Sequence, residues 1–588
     1  MAFLLTAAAL VHADTITVCW DGSADYTTIQ AGINAAADGD EVVVCQGTYT
    51  GQQNKNLDFA GRAITVRSEN GPELTIIDCQ NDGRGFYFHS GEDANSVLDG
   101  FTVTNGYTPG PWSENRGGGI CSVASGPTIK NCTITNSASD RGGGIFCGDE
   151  SNAIVSQCTI IENSASNGGG VFFGNSGTVV NINSTITNCI VTGNSASQYG
   201  GGIKCYNSLY YGDGATITHC TISANSAASG GGIVCHNNTT KITNCIISGN
   251  SSTCTHSSYG GGGGVYCERS SPTIDNSIIS DNSTDSTGVC GGGGGIHCTY
   301  ESKPTITNST IVSNNTGRDG GGIFCTNSSS ATVVNSIIWD NTADVNGPDI
   351  GLINCNVHGN RPGRITISYS DVKGGEAQVY VESYCTLNWG AGNINIAPCF
   401  ADSNNGDYHL KSEAGRWKPS IYIKLDPTGD SFIDLSDFAA FANYWQQQGE
   451  FVSADLDNSG LVDLDDLKLL MHKYLMSYPH GDWVLDEVNS PCIDVGDPTS
   501  DWTAELWPHG KRINMGTYGG TPQAGMSLSD AANIADLNNS DLVDYTDLIA
   551  FVNKWLYKEV LLPEDLDRNG IVNFLDFAVF ANNWLWEK

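Results

Sequence analysis

Basic residues are scarce in this chain: 27 Lys and Arg stand against 63 Asp and Glu in 588 residues, a formal net charge of −36. Phosphate backbones call for a basic face, so nucleic acid is excluded as a partner and cations become the natural counterpart. Beyond the first residues no apolar run reaches the roughly 20 residues that span a bilayer, so no transmembrane segment is expected. Helical repeats are excluded too, because the chain's repeating units are rich in Gly, Ser, Asn and Thr, which cannot sustain two helices per unit. The opening MAFLLTAAALVHA has no Lys or Arg, yet its apolar run ending in Val-His-Ala reads as a signal peptide over residues 1–13. A buried N-terminal helix is the alternative. The first reading makes the chain secreted or displayed at the cell surface.

Glycine, by contrast, is abundant, and it is periodic. Eight times a run of three to five glycines is followed by Ile or Val, at Ile120, Ile145, Val171, Ile203, Ile233, Val265, Ile296 and Ile323. After each anchor comes a second phrase, such as CTITNS, CIVTGNS or SIISDNS. Two short β-rich phrases per unit of 25 to 32 residues describe a stacked solenoid, with each unit forming one coil. The fold class is therefore an all-β right-handed parallel β-helix. Period-2 alternation buries the anchor and the residue two places on. The second phrase closes on Asn136, Asn163, Asn194, Asn225, Asn250, Asn282, Asn315 or Asn341, whose amides can form a ladder along the stack. The glycines would form a corner with no room for a Cβ.

The 21 cysteines follow the same period. Cys147, Cys205, Cys235, Cys267, Cys298 and Cys325 lie two residues after an anchor. Cys132, Cys158, Cys189, Cys220 and Cys245 head the second phrase, and Ser277, Ser309 and Ser336 replace them in later coils. Both columns should point inward, where Cys acts as a small hydrophobe, and stacked in-register thiols suit ladders better than bridges. Cys254 and Cys290 sit in longer turns before five-glycine runs and form the disulfide candidate.

Near the start, a short helix with Ile29 and Ile33 four apart precedes a strand from Glu41 to Cys45, forming an N-terminal helical cap for the stack. The stretch TIQAGINAAADGDEVVVCQGTY resembles the opening of pectin-lyase-like β-helix proteins. The GGG[IV] and [IV]xxN phrases resemble the repeats of polymorphic outer-membrane and autotransporter passengers. The likeness covers roughly Thr15 to Cys399. It implies the fold but leaves function open among lyases, hydrolases, adhesins and non-enzymes.

The C-terminal third carries four twelve-residue segments with side-chain oxygens at positions 1, 3, 5, 9 and 12: DPTGDSFIDLSD, DLDNSGLVDLDD, DLNNSDLVDYTD and DLDRNGIVNFLD. This spacing wraps oxygens around a hard cation such as Ca²⁺. Apolar residues at helical spacing follow each loop, for example Leu548, Phe551, Val552 and Trp555. The four loops form two pairs that resemble dockerin, the paired calcium module of cellulosome-type enzymes. The resemblance implies as ligands Asp426, Thr428, Asp430, Asp434 and Asp437, then Asp455, Asp457, Ser459, Asp463 and Asp466, in an inserted module over 424–478. In a tail module over 533–588 it implies Asp536, Asn538, Ser540, Asp544 and Asp547, with Asp565, Asp567, Asn569, Asn573 and Asp576. It also implies a cohesin-type protein partner. Two departures are visible: Ser431 and Asp541 replace the glycine at position 6, and the Ser-Thr pairs by which dockerins address cohesins are absent. On this reading the β-helix runs over 14–423 and resumes over 479–526 as its terminal coil.

Catalytic signals are thin. Glycoside hydrolysis generally uses two carboxyl groups about 5 to 10 Å apart, and the coils show neither clustered Asp pairs nor the Gly-His-Gly phrase of polygalacturonase-like enzymes. Lyases of this superfamily use a Lys or Arg base, and the cations at hand are Lys204, Arg141 and Arg318. Arg141 and Arg318 stand beside Asp140 and Asp319 at glycine corners, where solvated turn pairs are expected. Outward positions carry Phe146, Phe172, Tyr266 and Phe324, an aromatic stripe that either stacks on a polysaccharide or is covered by the long turns as a second core. Lys204, Tyr206, His236, Glu268 and His297 form the best catalytic cluster available. The functional expectation is a β-helix that binds extracellular polysaccharide or glycan. Its alternatives are a polysaccharide lyase or glycoside hydrolase, and a non-catalytic structural surface protein or adhesin.

Overall fold

Short strands joined by single-residue corners set the shape of each coil. In one coil, strands Gly212–Thr218, Thr221–Ser223, Ser226–Ser229 and Ile233–His236 follow one another, and each pairs in parallel with its counterparts in the coils before and after. Stacking yields four parallel sheets of 14, 12, 8 and 11 strands, here the first to fourth sheets in the order the chain visits them. The computed structural model describes residues 13–109, 115–175, 183–208, 212–253, 261–285, 291–355, 361–419, 481–529, 532–558 and 561–587. Two compact units divide the chain, Met1–Asn395 and Ile396–Lys588.

Inside the first unit runs one continuous apolar core of stacked Ile, Val and Cys side chains, among them Ile217, Ile222, Ile233 and Cys235 in a single coil. Each such aliphatic side chain contributes about 1.5–3 kcal/mol on burial. The core is closed at its start by helix α1 (Ile29–Ala35), which buries Ile29 and Ile33 and donates its first N–H, that of Ile29, to Asn54 Oδ1 at 2.8 Å. The expected helical cap is therefore present. A disulfide joins Cys19 to Cys45, with Cα atoms 5.1 Å apart. The expected pair Cys254 and Cys290 lies outside the described residues.

Both tight corners solve the same problem, which is where the backbone N–H of a turn goes. Between first and second strands one residue takes a left-handed conformation, as at Asn188 (φ +52°) and His219 (φ +52°). The next residue turns inward and is Cys or Ser. Cys189 Sγ accepts the Cys158 N–H at 3.3 Å and donates to Thr187 O at 3.2 Å. Ser277 Oγ accepts from Cys245 N at 3.2 Å and donates to Asp275 O at 2.8 Å. The thiols at this corner therefore act as hydrogen-bonding groups rather than simple hydrophobes, which explains why Ser replaces them.

At the second corner the inward residue is Asn. Asn225 Oδ1 accepts from the Asn194 N–H (2.9 Å) and Nδ2 (3.0 Å), while its own Nδ2 donates to Val191 O (2.9 Å) and to Asn250 Oδ1 (3.0 Å). The column runs Asn163, Asn194, Asn225, Asn250, Asn282, Asn314, Asn341 and ends on Asp349. Two expected members are shifted by one place. Ser137 rather than Asn136 opens the column, because Asn136 occupies the left-handed corner itself, and Asn314 rather than Asn315 belongs to it, because Ser313 (φ +57°) holds that corner and Asn315 already begins the next strand.

The glycines face this column. Gly200 is left-handed (φ +71°), a Cβ on Gly201 would lie 2.4 Å from Ser226 O, and one on Gly202 would lie 3.0 Å from Asn225 Nδ2. The chain leaves along the third sheet and returns through a neck so narrow that only backbone fits beside the amide column.

In the second unit, Phe400–Asp402 pairs antiparallel with Asp407–Leu410, and Arg416–Pro419 with Gly481–Val484. The latter pairing joins the chain on either side of 420–480, which holds the first pair of acidic loops and lies outside the described residues. Helices α2 (Tyr545–Asn553) and α3 (Phe574–Asn582) share a small core centred on Phe551 and Phe580. Among the described residues no helix is long and apolar enough to cross a membrane.

Asn225→Ala would strand donors and acceptors on the coils before and after it, each costing about 1–3 kcal/mol when buried and unanswered. Urea unfolding of this variant should show a loss of about 3 kcal/mol or more; a loss under about 1 kcal/mol would show that the amide column is not the main tie at this corner.

Candidate functional site

Because the glycine neck folds the third sheet back toward the fourth, the third sheet covers much of the fourth sheet's outward face, and the seam between the two is called the cleft below. In-register columns run along it: Phe172–Lys204–Val234–Tyr266–His297–Phe324, and beside it Tyr206–His236–Glu268. The aromatic stripe does not face solvent. Phe146, Phe172, Tyr266 and Phe324 are 1%, 3%, 3% and 0% exposed. Phe146 and Phe172 stack at 5.4 Å in a second small core with Cys121, and Tyr199 of the third sheet stands 6.4 Å from Tyr266. The solvent-facing alternative for these rings is thereby corrected, since the folded-back third sheet supplies the cover. Arg141–Asp140 (3.9 Å) and Arg318–Asp319 (3.3 Å) are likewise largely buried rather than solvated turn pairs.

Four of the expected cluster residues come together. Lys204 is 8% exposed, donates to Asn167 Oδ1 at 2.7 Å and lies over the rings of Tyr199 (4.5 Å) and Tyr206 (5.6 Å). Burial lowers its pKa to about 7, against the opposing pull of the Glu268 carboxylate. Glu268 meets His236 Nδ1 at 3.3 Å and Arg269 Nη1 at 2.6 Å. Burial would raise the Glu268 pKa, but the His236 hydrogen bond and the charges of His236, Arg269 and Lys204 hold it below the usual value. Tyr206 and His236 are neighbouring rings at 5.1 Å, and both remain half-buried at the cleft's edge. An ionised carboxylate, a lysine able to give or take a proton near neutrality, and two partly accessible rings thus occupy three successive coils.

His297 stands apart. It is fully buried between Tyr266 (5.2 Å) and Phe324 (4.9 Å), and neither ring nitrogen has a hydrogen-bond partner among the described residues. Arg269, which lies over Tyr300 at 4.5 Å, and Tyr199 belong to the cleft without having been singled out from the sequence. Arg269 directly follows Glu268, a turn position that the repeat period does not mark.

In the second unit both described acidic loops are wound around their own carboxylates. Asp565 accepts from Asn569 N (3.1 Å) and Gly570 N (2.8 Å), and Asp576 accepts from Asp567 N (2.9 Å) and Asn573 N (2.7 Å). One oxygen each from Asp565, Asp567 and Asp576 lie within 4.8 Å of one another. Burial first, then the charge of Asp576, raises the pKa values of Asp565 and Asp567. Asp536, Asn538, Ser540, Asp544 and Asp547 form the equivalent loop, in which Asp541 adopts the left-handed conformation (φ +65°) that Gly570 takes in its neighbour (φ +84°). Asp426, Thr428, Asp430, Asp434, Asp437, Asp455, Asp457, Ser459, Asp463 and Asp466 lie outside the described residues.

A family model described as "Right handed beta helix region" matches residues 42–210 and 215–401, and one described as "Disaggregatase related" matches residues 369–434. Similar solved structures include the complex of XylC with xylose, at 12% identity and TM-score 0.41, covering 66% of this chain and 87% of that one. Pectate lyase Pel9A matches at 13% identity and TM-score 0.33, covering 87% and 97%. The A-module of the Azotobacter vinelandii mannuronan C-5 epimerase AlgE6 matches at 13% identity and TM-score 0.31, covering 63% and 94%. No curated protein matches.

Burial lowers the His297 pKa to about 3 from 6.5. Its stabilising contribution is therefore complete above pH 6.5 and is lost as pH falls toward 3, by up to about 5 kcal/mol. His297→Phe should unfold less steeply between pH 6.5 and 3.5 than the parent chain. Parallel stability profiles for the two would show that His297 is not the acid-sensitive group.

Proposed function

The chain belongs to the right handed beta helix region family, and on that footing we propose that it is a secreted or cell-surface protein that binds an extracellular polysaccharide or glycan in the cleft over its fourth sheet. The observation that carries this reading is the register of Tyr206, His236 and Glu268, partly accessible and repeating at about 4.8 Å, close to the advance of one sugar residue. Tyr206 offers a ring face, while His236 and Glu268 offer hydrogen-bond partners for hydroxyl groups. The Cys19–Cys45 disulfide supports an oxidising compartment.

A second reading, cleavage of the bound chain by a polysaccharide lyase, is favoured by Lys204. A lysine with a pKa near 7 beside an ionised carboxylate can take a proton from a sugar carbon at neutral pH. A hydrolase would need a second carboxyl group about 5 to 10 Å from Glu268.

The tail loops fit calcium on the chemistry of their donors. Asp565, Asp567, Asn569, Asn573 and Asp576, and likewise Asp536, Asn538, Ser540, Asp544 and Asp547, would hold it, and the ion would supply charge that the crowded carboxylates lack. The exposed Tyr545, Phe574 and Leu575 at the starts of α2 and α3 support a protein-docking role of the cohesin type.

Retention on polysaccharide columns tests the binding reading. Tyr206→Ala and Glu268→Gln should each weaken retention about tenfold or more, in keeping with losses of about 1.4 kcal/mol or more, whereas Phe146→Leu should not. Unaltered retention of the first two variants would sink it. Release of chains with unsaturated ends, lost in Lys204→Met, would move the protein to the lyase reading. For calcium, the melting temperature of the intact protein should rise with added Ca²⁺ and fall with chelator. An equal rise in Asp565→Asn/Asp576→Asn would assign the effect elsewhere.

A further inference from the structure

In the second unit, the two described acidic loops are tied to the short segment 502–511 that precedes the tail, one tie from each loop. The loop beginning at Asp565 has Arg568 at position 4, where the other three loops carry Gly429, Asn458 and Asn539. Its guanidinium donates through Nη1 to Leu562 O and Asp565 O, both at 3.2 Å, and through Nη2 to Trp507 O at 3.0 Å. It also lies over the Trp483 ring at 5.7 Å. One planar side chain thus fastens the backbone of the loop's first residue to a strand and a turn outside the module.

The loop beginning at Asp536 has Asp541 at position 6, where Gly460 and Gly570 stand in two of the other loops. The Asp541 N–H donates to Asp536 Oδ2 at 2.9 Å, and its side chain pairs with Lys511. Trp507 adds a third link, donating from Nε1 to Ala532 O at 3.0 Å, and Trp502 packs on His509 at 4.7 Å in the same segment. Positions 4 and 6 supply no side-chain ligand to a calcium loop of this kind, so neither Arg568 nor Asp541 is needed to hold an ion. Each instead joins a first-position aspartate to residues outside the module.

We infer that residues 502–511 are a docking platform for the tail within the same chain, and that the two ties form a calcium-dependent latch. This rests on the calcium reading of the tail loops and adds what ion binding would control. Ligands closing round an ion fix Asp536 and Asp565, and through them Asp541 and Arg568, which hold the platform. Linkage requires the converse: contacts with the platform tighten calcium binding by the factor by which calcium tightens the platform. Tyr545, Phe574 and Leu575 stay exposed in the seated tail. A partner protein would therefore meet them at a fixed orientation to the platform rather than on a loose tether.

Hydrogen–deuterium exchange of the full-length protein over a series of free Ca²⁺ concentrations tests the latch. Peptides covering 536–547 and 565–576 report the loops, and those covering 502–511, which contain no proposed ligand, report the platform. Both sets should slow with one midpoint. Lys511→Met should move that midpoint to Ca²⁺ concentrations about fivefold higher or more and weaken the slowing of 502–511. Charge alone predicts the opposite sign, since removing a cation beside an acidic loop favours a bound cation. Trp483→Leu, which alters no charge, should act in the same direction and serves if Lys511→Met does not fold. Loops that slow with calcium while 502–511 does not, or a midpoint left unchanged or lowered in the variant, overturn the latch and leave the calcium reading standing. Loops that do not slow at any Ca²⁺ concentration defeat both.

Discussion

Everything distinctive about the first unit depends on the meeting of an amide column with a glycine column. Parallel strands stacked in register leave turn N–H groups that no strand can answer, and the buried Asn side chains answer them coil after coil. The amides need space, and the last glycine of the run, as at Gly202, Gly264 and Gly322, supplies it by having no Cβ where Asn Nδ2 lies. Neither column would persist without the other. A larger residue at Gly202 would collide with Asn225, and loss of the amides would leave the neck both hollow and polar.

That neck also makes the cleft. Once the chain can turn back within one backbone width, the third sheet folds against the outward face of the fourth, and residues that would otherwise meet water become walls and floor. The phenylalanines are then sealed, and only side chains two places further along, or on the corner itself, reach the opening. Burial changes their chemistry: the same enclosure that brings Lys204 close to neutrality keeps Glu268 charged, because His236 and Arg269 stand beside the carboxylate while the amine finds a neutral amide.

Much of this was legible in the sequence, for definable reasons. The anchor positions, the inward thiols and the helical cap follow from period and alternation, which are local. Lys204, Tyr206, His236 and Glu268 could be grouped because in-register stacking converts a fixed offset from the anchor into proximity. Three things were not legible. Asn136 and Asn315 carry the right side chain one place away from the column, and only the left-handed corner decides which of two neighbouring residues turns inward. The burial of Phe146 and Phe324 depends on how the third sheet folds over, which strand alternation does not encode. Arg116 and Arg141 each directly precede a glycine run, and the expectation of a solvated Arg141–Asp140 turn pair hid their pairing across coils.

The hydrogen-bonding scheme has one more consequence, which concerns inheritance rather than stability. Each corner residue answers a donor in the coil before it and is answered by the coil after it, so every coil presents the same two faces. A gain or loss of one whole coil would therefore leave the bonding pattern intact, whereas a shift of a single residue inside a coil would break both columns at once. Evolution of such a chain is quantised: its length changes in complete turns of the stack, and its variation in spacing, from 25 to 32 residues, is confined to the turns between those fixed corners.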